Sequence, residues 1–187
     1  MSSGAHVGPH CMDTTNLAGL YDVPALEWET IRTGLDAGFP QAPGEGGPDR
    51  HTCWLTTLDA DGGPHVTGIG ALWAEGAFWF ETGERTRKGR NVARDPRCAL
   101  SLATGAFDLV VRGRAEMVTD RALVAARAAE WAAGGWPCEV DESGEALTAP
   151  FSAPSAGKPP WRVYRIVVES ATALQTVEPG GATTWRF

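Results

Sequence analysis

Three short apolar segments joined by tight turns set the strongest constraint on how this chain can fold. They span residues 53–58, 65–73 and 77–82, and each has the β-branched and aromatic composition that favours a strand. Asp61-Gly62-Gly63 and Glu75-Gly76 separate them, and short glycine turns of this kind are typical of hairpins. Parallel strands need a crossover of a dozen or more residues, so these turns require antiparallel pairing. The sequence therefore predicts a β-meander.

Helix and strand signals continue along the rest of the chain. Helices are predicted from the Asp22-Val23-Pro24 start to Gly38, over about residues 86–94, and from the Asp120 cap to about residue 133. Further strands are predicted at residues 98–103, 109–118, 161–177 and 183–187, with a long loop at 137–160. Together these elements indicate an α+β fold, an antiparallel barrel of about six to seven strands with flanking helices. Closing the sheet removes exposed strand edges.

Chain length and the N-terminal composition set the domain organisation. The 187 residues suit one domain, which we place at residues 21–187. Residues 1–20 favour a flexible tail, and they lack the basic start and apolar stretch of a secretory signal. No apolar run reaches the roughly 18 residues that cross a bilayer. We therefore expect a cytoplasmic protein that does not enter a membrane.

Charge and cysteine usage exclude two further classes of protein. The net charge is −7, whereas a nucleic-acid-binding domain normally carries a net basic patch, so no nucleic acid partner is expected. The four cysteines are widely spaced with no C-x-x-C pair, which argues against a disulfide framework and a zinc site. Cys53 and Cys98 are expected to be buried as small apolar residues. No metal site is predicted.

A basic segment stands out against this acidic background. Six cations fall within thirteen residues, opposed there only by Asp95: Arg85, Arg87, Lys88, Arg90, Arg94 and Arg97. Thr86 stands where a helix N-cap would be, directly before the basic pair, and Asn91 shares the face of that pair. A helix start offers free backbone N–H groups and a positive dipole end, so added cations make a phosphate receptor. The alternative is a solvated basic helix face that balances an acidic protein.

The order of several short motifs resembles the pyridoxamine 5′-phosphate oxidase-like superfamily. An aromatic strand at residues 76–83 runs into Thr86-Arg87-Lys88, and the stretch Asn-Val-Ala-Arg-Asp-Pro-Arg follows at residues 91–97. The strand at residues 107–113 and the Thr-Trp-Arg-Phe ending at residues 184–187 are also similar to the family. The resemblance implies a homodimeric split β-barrel in which the Arg-Lys pair holds a cofactor phosphate. The Arg-Leu-His-like stretch of the true pyridoxamine phosphate oxidases is missing, so that substrate is not expected.

The resemblance also implies which further residues border the cofactor. Thr67, Thr104 and Asp108 would lie beside the ring, and a structural role of the strand hydroxyls is the alternative. From their own chemistry, and not from a family motif, Asn91, Arg85 and Arg90 would support the phosphate or an acidic cofactor tail. Trp185 belongs to the C-terminal ending shared with the flavin and deazaflavin members. His65 is interpreted as a hairpin-edge histidine beside this region.

The residues of these motifs are most similar to those of the flavin/deazaflavin oxidoreductase branch. It implies coenzyme F420 as cofactor, with FMN as the alternative, and hydride transfer between reduced F420 and a planar conjugated organic substrate. The other hypotheses are an FMN-dependent oxidoreductase and a non-catalytic flavin- or deazaflavin-binding protein. No acid residue stands out as a proton donor, so no catalytic side chain is predicted and protonation from solvent is expected. This fits an enzyme whose cofactor carries the chemistry.

Overall fold

Antiparallel strands make up most of the computed structural model, which describes residues 12–38 and 52–187. The strands are β1 Asp13–Asn16, β2 Thr52–Leu58, β3 Pro64–Gly70, β4 Leu72–Ala74, β5 Ala77–Thr82, β6 Arg97–Ala103, β7 Phe107–Val118, β8 Glu139–Val140, β9 Ala146–Thr148, β10 Trp161–Gln175 and β11 Ala182–Arg186. The helices are α1 Trp28–Asp36, α2 Arg87–Arg94, α3 Arg121–Ala133 and a 3-10 turn at Gly19–Tyr21. No helix within these ranges is long and apolar enough to cross a membrane.

The predicted meander is right in its hairpins and wrong in its middle strand. β2 pairs with β3 and β4 pairs with β5, both antiparallel. The strand expected over residues 65–73 is instead two strands, because the chain turns at the buried Ala71 and changes neighbours. Alternating composition continues through such a corner, so composition alone does not reveal it.

This corner splits the barrel. The ladder runs β3-β2-β6-β7-β10, and β10 also pairs with β5, so the circuit returns to β4. Across the described strands the step from β3 to β4 is made by the chain and not by hydrogen bonds. The expected α+β split β-barrel with flanking helices is therefore confirmed.

Two apolar layers lie on the two sides of β5. Phe78 and Phe80 point into the barrel core, which also contains Trp185. Trp79 faces a second layer beneath α3, where it packs with Trp131 and Trp161. Glu81 follows Trp79 by two positions and therefore faces the same side. Its register partner on β10, Val163, belongs to this second layer.

Several element boundaries differ from the sequence-based expectation. β1 pairs with β11, so the described part of the predicted 1–20 tail holds a strand, while residues 1–11 lie outside the described ranges. α1 begins at Trp28, four positions after Pro24. The 137–160 loop contains β8 and β9, and β9 joins the sheet through β10. The boundaries of α2 and α3 agree with the prediction, as does the burial of Cys53 and Cys98.

Candidate functional site

The start of α2 is fixed to the end of β5 by hydroxyl contacts. Thr86 is the N-cap, and its Oγ1 accepts a hydrogen bond from the Gly89 amide at 3.0 Å. The same oxygen lies 2.7 Å from Thr82 Oγ1 and donates to the Gly83 carbonyl at 2.9 Å. In the described chain the amides of Arg87 and Lys88 have no backbone acceptor, as expected for the first turn of a helix. The predicted cap is confirmed and leaves two donors at the helix start.

Lys88 is a buried cation. Its side chain is 2% exposed, and its Nζ donates a hydrogen bond to the backbone carbonyl of Ser155 in the 137–160 loop. Burial lowers the pKa of Lys88, and the nearby Glu81 acts in the opposite direction. A buried ammonium group with one neutral acceptor retains donor capacity for an anion, because it carries three N–H groups.

Arg87 points to the rim of the site, where it forms an ion pair with Asp59. Its Nε donates to Asp59 Oδ1 at 2.9 Å, and its guanidinium also contacts Oδ2. Asn91 joins this group, because its Nδ2 donates to Asp59 Oδ1 at 3.0 Å and to Thr57 Oγ1 at 3.1 Å. Hydrogen bonds from Arg87 and then Asn91 lower the pKa of Asp59. Asp59 thus orients two of the predicted phosphate ligands.

Three adjoining cavities surround these residues. The basic cavity, about 240 Å³, is lined by His65, Thr67, Thr86, Arg87, Lys88, Pro154, Ser155 and Gly157. The outer cavity, about 540 Å³, shares Thr86 and Gly157 with it and adds Arg85 and Lys158. The aromatic cavity, about 550 Å³, shares Pro154 and Ser155 with the basic cavity. The basic cavity therefore has lining residues in common with both larger cavities.

The aromatic cavity is apolar apart from a few groups. Its walls include Leu72, Trp73, Trp131 and Trp136, and the buried Glu81 also lines it. Burial raises the pKa of Glu81 to about 8, while Lys88 opposes the shift. A conjugated, flat molecule suits walls of this kind.

Only part of the predicted site residue set comes together. Thr67 lines the basic cavity with the Thr86-Arg87-Lys88 run. Arg85 lines the outer cavity, and Arg90 is exposed, with its Nη1 donating to the Arg85 carbonyl at 2.5 Å.

The other three predicted residues lie elsewhere. Thr104 is buried in the β6–β7 turn, where its hydroxyl donates to the Phe107 carbonyl at 2.7 Å and accepts from the Phe107 amide at 2.9 Å. Asp108 is exposed on β7. Trp185 is 1% exposed in the barrel core and packs on Trp28, with ring centroids 5.3 Å apart. Within one protomer these three side chains are separate from the three cavities.

Three residues of the site escaped sequence reasoning. Asp59 directly follows a hairpin strand, and an acid in a turn is usually solvated. Ser155 contributes a backbone carbonyl, for which side-chain patterns give no signal. Glu81 does leave a signal, since an acid within the strand Ala-Phe-Trp-Phe-Glu-Thr interrupts an otherwise apolar run. Glu81 is therefore an acid that the sequence pattern signals and that the sequence analysis did not single out.

Comparison with known families decides how these observations are interpreted. The family model described as pyridoxamine 5′-phosphate oxidase matches residues 45–174, well over half of the chain. The chain belongs to this family. The pyridoxamine 5′-phosphate oxidase-like proteins bind flavins or deazaflavins and support flavin-type oxidoreductase chemistry. No curated protein sequence matches the chain.

Solved structures show the fold of this family at low sequence identity. A heme binding protein from Mycobacterium smegmatis is 20% identical with a TM-score of 0.52, over 72% of this chain and 52% of that one. The chain thus spans about half the length of that protein. A NimC/NimA family protein from Clostridium acetobutylicum is 12% identical (TM-score 0.53; 73% and 84% covered). General Stress Protein 26 from Bacillus anthracis is 12% identical (TM-score 0.52; 79% and 94% covered).

The residues at the start of α2 fit the phosphate of a family cofactor. They supply one ammonium group, one guanidinium and two first-turn amides around the basic cavity. Cations and helix N-termini are the donors that phosphate prefers. In this structure Lys88 contacts the Ser155 carbonyl and Arg87 contacts the Asp59 carboxylate. A phosphate would share these two cations with those acceptors or displace them.

Proposed function

We propose that this protein is an oxidoreductase that transfers a hydride between reduced coenzyme F420 and a planar conjugated organic substrate. The observation that carries the proposal is the buried Lys88 beside Arg87 at the capped start of α2, in a cavity that shares lining residues with two larger cavities. A buried lysine is rare unless it has a partner. A cofactor phosphate supplies that partner.

The outer cavity favours the deazaflavin over FMN. FMN ends at its phosphate, whereas F420 continues into an acidic tail. Arg85 and Lys158 line the outer cavity, directly beyond the basic cavity. The one acid there, Glu84, is paired with Arg162 at 3.0 Å, so it opposes an incoming carboxylate less than a free acid would. Two exposed cations at this place suit the tail and have no role toward FMN.

The other side of the basic cavity suits the reacting partners. Thr67 on β3 lies along the path from the phosphate toward the ring, and the aromatic cavity beyond Pro154 and Ser155 would hold the substrate. The substrate would then lie under the 137–160 loop. A flat conjugated molecule gains the most from contact with Trp73, Trp131 and Trp136.

In this proposal the protein binds and orients the cofactor and the substrate, and it excludes water from them. When bound, the cofactor supplies the hydride chemistry. Arg87 and Lys88 fix its phosphate, and Asp59 and Asn91 hold Arg87 in place. The indole walls exclude water from the reacting face, which prevents side reactions.

Calorimetric titration of the purified protein with F420 and with FMN tests the proposal. We expect F420 to bind more tightly than FMN, by tenfold or more, because only F420 reaches Arg85 and Lys158. Lys88→Met removes the ammonium group but keeps the apolar stem, and it should weaken F420 binding about 10- to 150-fold. Arg87→Ala should weaken it in the same direction.

Arg121→Ala is the matched control, because Arg121 is an exposed arginine at the start of α3 that lines none of the three cavities. It should bind F420 as the unchanged protein does. Tighter binding of FMN would transfer the proposal to an FMN enzyme, and binding without turnover of conjugated acceptors would favour a carrier protein. Unchanged affinity in both the Lys88 and Arg87 variants would reject the phosphate site.

We also propose that the protein is a cytoplasmic homodimer. The outer face of the sheet exposes Trp54 to 49%, Val66 to 55% and Val110 to 42%. The register places them on the same face of the sheet. Trp54 on β2 lies opposite Gly68 on β3 and Ser101 on β6, and Ser101 lies opposite Val110 on β7. Val66 is two positions from Gly68 and therefore faces the same side. Apolar side chains clustered on a flat sheet face suit a twofold interface. Such a dimer could also bring Thr104 or Asp108 of one protomer toward the other.

A further inference from the structure

Glu81 is a carboxyl group on the wall of the aromatic cavity that is used by no other residue. It is 6% exposed, and no side chain among the described residues donates a hydrogen bond to it. The other acid on that wall, Asp36, is exposed and accepts hydrogen bonds from Trp73 Nε1 at 2.7 Å and Arg32 at 3.2 Å. Glu81 accepts a hydrogen bond from its own backbone, and within the described residues no side chain takes up its remaining hydrogen-bonding capacity, so this buried carboxyl on the cavity wall is positioned for a ligand.

The groups around Glu81 keep it in its neutral form. Val163 on β10 and Trp131 on α3 are apolar neighbours on two sides. Cys138, after α3, has a pKa raised to about 11, first by burial and then by Glu81, so it stays a thiol. Lys88 on α2 is the one cation whose charge acts on Glu81, and burial outweighs it, which gives a pKa of about 8. At neutral pH the group is therefore a hydrogen-bond donor.

We infer that Glu81 is a specificity-determining residue, whose neutral carboxyl donates a hydrogen bond to the carbonyl oxygen of a flat conjugated ligand. This rests on the proposed function in taking the aromatic cavity as the substrate site. An acceptor oxygen satisfies the donor, whereas a ligand that carries its own carboxylate must be desolvated among tryptophans beside an acid. The cavity thus selects neutral conjugated carbonyl compounds over their carboxylate analogues.

Two probes of nearly equal shape test this without any cofactor. Methyl cinnamate offers a neutral carbonyl on a conjugated ring, and cinnamate carries a carboxylate in the same position. Calorimetric titration of the cofactor-free protein at pH 6.5 should show at least tenfold tighter binding of methyl cinnamate. Raising the pH to 9.5 should weaken methyl cinnamate binding at least tenfold, with a midpoint near the pKa of about 8, because ionised Glu81 has no proton to donate.

The variant Glu81→Gln keeps a hydrogen-bond donor at position 81 and removes the group that ionises. The amide keeps the shape and an N–H donor at every pH, so methyl cinnamate should bind within about threefold of the unchanged protein at pH 6.5 and no weaker at pH 9.5. Glu81→Ala should bind it at least tenfold more weakly at both values. Glu139→Gln, an exposed acid on β8, should retain the pH dependence of the unchanged protein. Near-ultraviolet circular dichroism checks that each variant is folded.

The inference is overturned if methyl cinnamate does not bind at millimolar concentration or if its affinity does not change with pH. It is also overturned if the Glu81→Gln variant keeps the pH dependence of the unchanged protein. These outcomes are distinct from failure of the proposed function. If F420 binds the unchanged protein and Glu81→Gln equally but the probes ignore pH, only the role of Glu81 fails. If the probes behave as expected but F420 does not bind, the cofactor proposal fails and the role of Glu81 stands.

Discussion

The ammonium group of Lys88 donates a hydrogen bond to the backbone carbonyl of Ser155, a residue 67 positions further along the chain. Ser155 sits in a small turn closed by two hydrogen bonds between Ala153 and Gly157, at 3.0 and 2.7 Å. The turn lines both the basic and the aromatic cavity. Movement of this turn therefore changes the surroundings of the cofactor phosphate and of the substrate together.

The first prediction concerns this turn. Replacing Pro154-Ser155-Ala156 by Gly-Gly keeps the bridged residues Ala153 and Gly157 and shortens the turn, which draws its backbone carbonyls away from Lys88. We expect F420 to associate at least threefold faster in stopped-flow fluorescence, because a phosphate no longer has to displace a carbonyl there. Substrate affinity should fall, because one wall of the aromatic cavity is lost.

The matched control shortens a turn of the same loop that lies away from the three cavities. Replacing Glu142-Ser143 by a single glycine alters the turn in which Ser143 Oγ donates to Asp141 at 2.6 Å. The rate of F420 association and the substrate affinity of this variant should both match those of the unchanged protein. Slower F420 association in the Pro154–Ala156 variant would show that the turn guides the cofactor in.

The second prediction concerns Gly89 in α2. At an interior position of a helix, alanine is normally more stabilising than glycine by about 1 kcal/mol. Here an added Cβ would lie 2.4 Å from the Gly83 carbonyl oxygen and 3.1 Å from Thr86 Oγ1. Gly89→Ala should therefore reverse the usual sign and lower the free energy of unfolding by about 1–3 kcal/mol in urea titrations.

Gly89→Ala should also weaken F420 binding, because the added methyl group displaces the start of α2. Gly105→Ala is the control, because its added Cβ meets nothing within 4 Å, and its unfolding should change by no more than about 0.5 kcal/mol. A Gly89→Ala protein as stable as the control would show that β5 and α2 are not in close contact.

Local signals predicted the start of α2 well, because every part of it is adjacent in sequence. Thr86, the basic pair and Asn91 fall within one and a half turns of a helix, so the cap and its donors follow from propensity alone. The corner at Ala71 did not follow, since strand composition is the same on both sides of it. Neither did the contacts of Lys88 with Ser155 or of Asn91 with Thr57, because only tertiary folding brings them together.

The same limit applies to the residues that the resemblance assigns to the cofactor ring and that lie away from the three cavities of one protomer. Thr104 is assigned by the resemblance, yet its hydroxyl is fully used in closing a turn. A threonine that caps a turn and a threonine that faces a ligand look alike in sequence. Trp185 is hidden for a similar reason, because an aromatic residue in a strand gives no sign of which face is buried.

The third prediction tests the homodimer. Trp54→Lys places a charge in the exposed apolar patch on β2, and it should convert a dimer into a monomer in light scattering at micromolar protein. Val66→Lys on β3 should act in the same direction. Both residues are at least 49% exposed in the protomer, so neither change should unfold it.

Leu20→Lys serves as the control for added charge. Leu20 is 94% exposed and lies in the 3-10 turn, away from the sheet face. That variant should keep the mass of the unchanged protein. A monomer before any substitution, at the same concentration, would reject the dimer.

The last prediction links Glu81 to stability. Its pKa is about 8 in the folded protein against 4.5 for an ordinary glutamate. Between those values the folded state holds a proton that the unfolded state has released, so the free energy of unfolding falls as pH rises. The loss is absent below pH 4.5, grows through this window and levels off above pH 8. At about 1.4 kcal/mol per pKa unit it is of the order of 5 kcal/mol.

Glu81→Gln removes this loss, because an amide does not ionise. In urea titrations the variant and the unchanged protein should have similar unfolding free energies at pH 4.5, and the variant should be more stable by several kcal/mol at pH 8. Glu139→Gln on exposed β8 should follow the unchanged protein at both values. A stability difference that stays constant with pH would mean that Glu81 is ionised in the folded protein. It could then accept hydrogen bonds in the aromatic cavity but not donate them.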